Sequence, residues 1–268
     1  MVVYPAITIK SFHMNNQAKL DNFTSLHKQD TPLLLGNVWN PHTAKLAEQA
    51  GFQALGSSSH AMAFALGYAD GQQIPFDDIF HVVKRILSVV SIPVSVDFEA
   101  GYSDDPKVVA GFVKLLADAG VVGINLEDGK VTDGKRTLGD VELMVSKIKA
   151  IKSATDIFIN ARIDTYTTKH SNALEESVKR ANLYAQAGAD GVFVPLIEKE
   201  SDIQSFVESV SLPLNVFATP KLPSYEKLAE LGVKRISHGA KQYDLLMKKS
   251  EQIFKDFYQT KDYTYVLG

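Results

Sequence analysis

Short apolar, β-rich runs alternate along the chain with longer segments whose apolar positions recur three and four residues apart. The runs occupy residues 32–39, 52–59, 93–99, 122–128, 156–164, 191–196, 213–219 and 234–239, which makes eight predicted strands. Helical spacing between them is clearest over residues 105–119, where Val108, Val109, Phe112, Leu115 and Leu116 are expected on one face. Asp105 before Pro106 suits an N-cap followed by the first helical position. Strand and helix in strict alternation predict parallel strands joined by helical crossovers.

A repeat sharpens this reading. Ala50-Gly51, Ala119-Gly120, Ala187-Gly188 and Leu231-Gly232 each stand just before an even-numbered strand, where glycine suits the left-handed position that ends a helix. Pro32, Pro93 and Pro213 open odd-numbered strands, where a missing N–H costs least. A βαβα unit used four times predicts an α/β fold closed into a (β/α)8 TIM barrel; the alternative is an open, doubly wound sheet of eight strands. Residues 1–31 form an N-terminal helical segment, with Leu20, Phe23 and Leu26 as its apolar stripe, and residues 32–268 form the single catalytic barrel. The helix after Gly239 carries Tyr243, Leu246, Met247, Ile253, Phe254 and Phe257, more apolar surface than solvent requires, and is expected to pack on another subunit.

Composition narrows the partners. The length of 268 residues suits one barrel, and a net charge of −3 provides no basic surface for nucleic acid and no polybasic membrane patch. No apolar run reaches the roughly 18 residues of a membrane span, and Met1 to Pro5 lack a signal-peptide pattern, so a cytoplasmic protein is expected. Cysteine is absent, which excludes disulfides, thiolate metal sites and a cysteine nucleophile or acid.

The chemistry is concentrated at strand ends. Val94-Ser95-Val96-Asp97-Phe98-Glu99, Val122-Gly123-Ile124-Asn125-Leu126-Glu127-Asp128 and Ile157-Phe158-Ile159-Asn160-Ala161-Arg162-Ile163-Asp164 are apolar runs that finish in charge. Burying carboxylates costs several kcal/mol unless a cation or hydrogen bonds compensate them. In a barrel the active site lies at the C-terminal strand ends, so the three runs describe one site. The candidates there include Trp39, Ser57, Ser58, Ser59, Asn215 and His238, with Asp70 on the loop after the second strand. Oxygen ligands without cysteine or paired histidine favour Mg2+ or Mn2+, with Asp97, Glu99, Asp70 and Glu127 as the metal set. Structural readings compete: Asp97 and Glu99 could form salt bridges, Arg162 could neutralise Asp128 or Asp164, and the three serines could cap the next helix. Residues 129–139, with Lys130, Lys135 and Arg136, read either as a mobile lid or as a solvent-exposed connection. No lysine ends a strand, which removes a Schiff-base aldolase, and no HxH pair, GxSxG, GxGxxG or P-loop is present.

Gly36-Asn37-Val38-Trp39-Asn40, Leu66-Gly67-Tyr68-Ala69-Asp70-Gly71, Val96-Asp97-Phe98-Glu99-Ala100-Gly101-Tyr102, Gly123-Ile124-Asn125-Leu126-Glu127-Asp128 and Asn160-Ala161-Arg162-Ile163-Asp164 together resemble the isocitrate lyase/phosphoenolpyruvate mutase superfamily. The resemblance spans nearly the whole barrel. It implies a swapped C-terminal helix, a homotetramer built as a dimer of dimers, and Mg2+ holding a 2-oxo acid. It implies Asp97 as the principal metal carboxylate, with Asp70, Glu99 and Glu127 ligating through water. Substrate contacts are expected from Trp39, Ser58, Ser59, His60, Asp97, Asn215 and Arg162, and catalytic roles from Arg162, Glu127 and Asp70. Lyases of that family protonate their product with a loop cysteine, which this chain lacks, and the mutase lid Lys/Asn pair has no clear counterpart after Glu127-Asp128. The resulting expectation is a lyase acting on a small 2-oxo (di)carboxylate, cleaving or forming a C–C bond through a metal-bound enolate. The alternatives are a P–C bond mutase or hydrolase, or a 2-oxo acid binding protein with little catalysis.

Overall fold

A computed structural model of the chain describes residues 16–132 and 134–267. In chain order the elements are α1 (Asn16–Leu26), β1 (Leu33–Leu34), β2 (Gly36–Val38), α2 (Pro41–Gln49), β3 (Leu55–Ser57), α3 (Ser59–Ala65), α4 (Phe76–Leu87), β4 (Val94–Asp97), α5 (Pro106–Asp118) and β5 (Gly123–Glu127). There follow β6 (Gly129–Thr132), β7 (Lys135–Leu138), α6 (Val141–Ala154), β8 (Phe158–Arg162), α7 (Ala173–Ala187), β9 (Gly191–Phe193), α8 (Glu200–Ser209), β10 (Leu214–Phe217), α9 (Tyr225–Glu230), β11 (Arg235–Ser237), α10 (Lys241–Thr260) and α11 (Thr264–Leu267).

Nine parallel segments form one sheet in the order β1-β11-β10-β9-β8-β5-β4-β3-β2. Its two ends are consecutive pieces of one strand, broken only at Leu35. The Leu35 amide donates to Ile236 on one side and the Gly36 amide to Ala54 on the other, so the first strand joins the last and the sheet closes as a (β/α)8 barrel. The repeat that predicted this closure is visible in the backbone: Gly51, Gly120, Gly188 and Gly232 all end helices with φ between 81° and 110°.

Helix α1 covers the N-terminal end of the barrel. Phe23 is fully buried and meets the Phe158 ring edge-on at 5.2 Å, while His27 stacks on Phe158 at 4.3 Å. That plug leaves the C-terminal mouth as the open end. The outer face of α5 departs from the expected stripe: Val109, Val113 and Leu116 are buried, whereas Val108 and Leu115 are 42% and 47% exposed. Spacing of i, i+4 and i+7 selects the true core stripe, and the two flanking apolar residues lie outside it.

Residues 129–132 and 135–138, in the stretch expected to be a mobile lid or a solvent-exposed connection, have regular structure. They form an antiparallel hairpin, β6 against β7, with Gly129 opposite Leu138 and Val131 opposite Arg136. Its polar side chains conceal the strand period. Asp133-Gly134, a dipeptide favoured in two-residue hairpin turns, is the signal present in the sequence.

Candidate active site

A cavity of about 330 Å³ opens at the C-terminal ends of the barrel strands. Asp97 ends β4, Asn125 and Glu127 lie on β5, Arg162 ends β8, and Ser57 to His60 run from β3 into α3; all line the cavity, as do Asp70, Glu99 and Arg136. Parallel register sets neighbours side by side: Asp97 is opposite Asn125, and Glu127 is opposite Arg162.

The arginine sector is a square of four charges, two guanidiniums against two carboxylates. Arg162 contacts Glu127 Oε2 through Nη1 and Asp164 Oδ1 through Nη2, each at 2.9 Å. Arg136, reaching in from β7, contacts Glu127 Oε1 and Asp164 Oδ2, each at 2.7 Å. Each carboxylate therefore gives one oxygen to each guanidinium. Burial works against charge on Asp164, but Arg162 and Arg136 outweigh it and hold the group below the ordinary carboxylate range. For Glu127, burial outweighs the same two arginines and pushes the carboxyl up to about 7. Arg162 has 17% of its side chain exposed and lies 5.7 Å from the Phe193 ring centre, so one face of its guanidinium is packed while its edge borders the cavity.

The neighbouring sector is acidic and poorly compensated. Asp97 Oδ2 accepts from Ser59 Oγ at 2.6 Å, and the Asp97 amide donates to Ser57 Oγ at 2.9 Å. Glu99 accepts from the Tyr102 hydroxyl at 2.6 Å and from the Gln72 amide at 2.8 Å, and Gln72 Oε1 in turn accepts from the Tyr102 amide at 2.6 Å. Glu99, Tyr102 and Gln72 all have left-handed backbones, with φ of 45°, 61° and 63°. Such residues cost of order 1–3 kcal/mol each, and this mutually bonded trio holds the conformation at the cavity wall. Burial raises the Glu99 carboxyl to about 8; the Tyr102 hydrogen bond opposes the rise, and Asp97, Glu127 and Asp70 add to it. Asp70 pairs with His60 Nδ1 at 3.2 Å near the rim.

Beneath the cavity lies a polar floor. Asn125 Oδ1 accepts from Asn160 Nδ2 at 2.8 Å and from Arg235 Nη2 at 3.2 Å, an assignment the two donors dictate. Arg235 is fully buried with Nε and Nη1 unpaired among the described residues, and burial lowers it to about 9 against the attraction of Asp97.

Of the residues expected at the site, Ser58, Ser59, His60, Asp70, Asp97, Glu99, Glu127 and Arg162 all line one cavity. Ser58 both caps α3, accepting from the Ala61 amide, and borders the cavity. Trp39 and Asn215 do not line it. Trp39 is 7% exposed and packs edge-on against Tyr243 of α10 at 5.4 Å, and Asn215 is 1% exposed and exchanges hydrogen bonds with Ser237. Asp128 does not reach Arg162: it accepts from Arg180 and Tyr184 of α7. Sequence reasoning missed Arg136 and Asn125 as wall residues and Arg235 as a floor residue. Arg235 opens β11, at the opposite end of its strand from the positions where site residues are expected, and no local signal ties Arg136 to Glu127.

The acids also provide a test for a metal. Among the described residues no three His, Asp or Glu side chains converge as a cage of direct ligands. Asp97, Glu99, Glu127 and Asp70 are spread around the wall, and the charges of the other three add to the burial that raises Glu99. An all-oxygen set with excess negative charge fits a hard cation that keeps waters between itself and most of its carboxylates.

A barrel with acids and paired arginines at its C-terminal mouth has the build of an enzyme active site. Comparison with known proteins makes this specific. Residues 23–258 match the family described as phosphoenolpyruvate phosphomutase, and the chain belongs to that family, within the isocitrate lyase/phosphoenolpyruvate mutase superfamily. It is 30% identical to 2-methylisocitrate lyase of Escherichia coli, over 72% of this chain and 67% of that protein. A solved Burkholderia cenocepacia protein, provisionally assigned as a phosphonomutase, is 36% identical with a TM-score of 0.84, covering 90% of this chain and 99% of that one. Phosphonopyruvate hydrolase, solved with oxalate and Mg2+, is 25% identical with a TM-score of 0.80, covering 91% and 88%.

Proposed function

We propose that the protein is a Mg2+-dependent lyase that makes or breaks a C–C bond in a small 2-oxo (di)carboxylate. The observation that carries this reading is the two-sector cavity: uncompensated carboxylates beside paired guanidiniums, in a space of about 330 Å³. Such a lining suits a cation and an organic anion bound side by side. Asp97, with Glu99, Glu127 and Asp70 through water, would hold the Mg2+, which when bound supplies Lewis-acid stabilisation of developing negative charge. Arg162 orients the acid and stabilises charge on its oxygens, its direction set by Glu127, Asp164 and Phe193. Ser59 and Ser57 fix the Asp97 carboxylate and its backbone.

The similarity to a solved phosphonopyruvate hydrolase holding oxalate and Mg2+ supports both the metal and the 2-oxo acid class, and it keeps P–C bond chemistry as the second reading. The test is turnover of oxaloacetate, phosphonopyruvate and methylisocitrate with Mg2+ and with EDTA, beside binding by calorimetry. Metal-dependent binding that Asp97→Ala abolishes is expected. Binding indifferent to both EDTA and that substitution would overturn the reading. Because the chain has no cysteine to serve as product-protonating acid, methylisocitrate cleavage is expected to be slow, well below about 1 s⁻¹.

The same reading includes a cytoplasmic homotetramer. Among the described residues, no helix is long and apolar enough to cross a membrane. On α10 only Tyr243 is buried, while Leu245, Phe254 and Tyr258 are 67%, 71% and 75% exposed, an apolar surface suited to a second copy of the chain.

A further inference from the structure

The hairpin brings a second guanidinium to the site. Both ion pairs of Arg136 run through one nitrogen, Nη1, to Glu127 and Asp164. Its Nε and Nη2 have no hydrogen-bond partner among the described residues, its side chain is 23% exposed, and it lines the same cavity as Arg162. Glu127 and Asp164 already receive two contacts from Arg162, so the square is held without the rest of the Arg136 fork. Two arginines against two acids cancel in net charge, and what remains to an anion is the set of unused N–H donors on a side chain that lines the cavity.

The approach of the hairpin is close and specific. A Cβ at position 129 would meet the Asp164 carboxylate and Arg136 Nη1, and a Cβ at position 139 would meet the Asp128 carbonyl at 2.5 Å. Glycines at both ends of the hairpin thus allow β7 to bring Arg136 to the strand ends. A solvent-exposed connection has no need of that fit.

We propose that Arg136 is a specificity-determining residue that reads a second anionic group, carboxylate or phosphonate, on C3 of a 2-oxo acid whose first end is held beside Arg162. The proposal rests on the 2-oxo acid reading above and names the substituent that the site selects. A planar fork with free donors matches a carboxylate or phosphonate in two-point contact, which an ammonium cannot reproduce.

The experiment titrates oxaloacetate, phosphonopyruvate and pyruvate, with Mg2+ present, into the wild-type protein, Arg136→Lys and Arg136→Ala, with thermal unfolding as the check on folding. The wild type is expected to bind at least one of the two C3 anions about tenfold or more tighter than pyruvate, the margin one charge-assisted contact provides. Arg136→Ala should lose that margin while pyruvate affinity changes less than about threefold, and Arg136→Lys should fall between the two. Loss confined to oxaloacetate or to phosphonopyruvate supports the proposal and tells carboxylate from phosphonate. An equal loss for all three ligands would make Arg136 a structural latch and overturn the proposal, as would wild-type selectivity in Arg136→Lys and Arg136→Ala. Should Arg136→Ala fail to fold, Arg136→Lys decides alone, since wild-type selectivity there overturns it. If the wild type bound none of the three, the 2-oxo acid reading would fall first and the inference with it.

Discussion

Replacing Glu99 by Gln measures the charge stored in the acidic sector. Glu99 is 4% exposed, and burial, with its acidic neighbours adding to it, lifts the carboxyl from 4.5 to about 8. Since the folded value lies above the unfolded one, the folded protein holds the extra proton between them. Stability therefore falls as pH rises through that window and levels off above about 8. From pH 6 to pH 9 the carboxyl passes from protonated to ionised in the fold, and the two units between 6 and 8 correspond to about 3 kcal/mol. Glutamine keeps the local bonding: its carbonyl accepts from the Gln72 amide, and its amide donates to the Tyr102 oxygen once that hydroxyl turns its proton away. Urea unfolding followed by circular dichroism, in EDTA across pH 6 to 9, reads the difference directly. Wild type should lose about 3 kcal/mol more than Glu99→Gln over that range. Parallel stability curves would refute the argument, because they would mean that Glu99 ionises as an exposed acid does.

Three further outcomes follow from the geometry. Gly129→Ala should lower stability by about 2 kcal/mol or more, because the added methyl drives into the Asp164 carboxylate and the Arg136 guanidinium; an unchanged denaturant midpoint would show that the hairpin is free to move away. Arg162→Lys should weaken 2-oxo acid binding about tenfold or more, a point charge replacing a planar fork held by two carboxylates; equal dissociation constants would make Arg162 structural. Light scattering should return a multiple of the 29.4 kDa chain mass, the tetramer being expected, and a monomer at micromolar concentration would count against the exposed face of α10 as an interface.

Much of this protein is written locally. Eight strands and their closure follow from runs such as 94–97 and 158–162, with helix-ending glycines at 51, 120, 188 and 232, because strand period and left-handed caps are properties of a few adjacent residues. The acids at the mouth were legible for the same reason: Asp97, Glu127 and Arg162 end strands, and parallel strands in a barrel present their C-terminal ends together. What the chain alone left undecided was pairing. Arg162 had Asp128 and Asp164 as candidate partners, and the fold keeps only Asp164 of the two: register adds Glu127 opposite Arg162, while the buried Asp128 is held by Arg180 and Tyr184. Trp39 directly follows β2, but packing against Tyr243 keeps it off the cavity; Asn215, expected at a strand's C-terminal end, is the second residue of β10 and bonds to Ser237. Arg136 lies in a polar stretch with no period to mark it, and it becomes a site residue only because β6 and β7 fold back over the strand ends with glycines where they touch. Hydrophobic pattern is a local quantity and reports which residues face inward. The meeting of charges that lie 28 residues apart, as Arg136 and Asp164 do, depends on barrel closure and register, which only the tertiary structure sets.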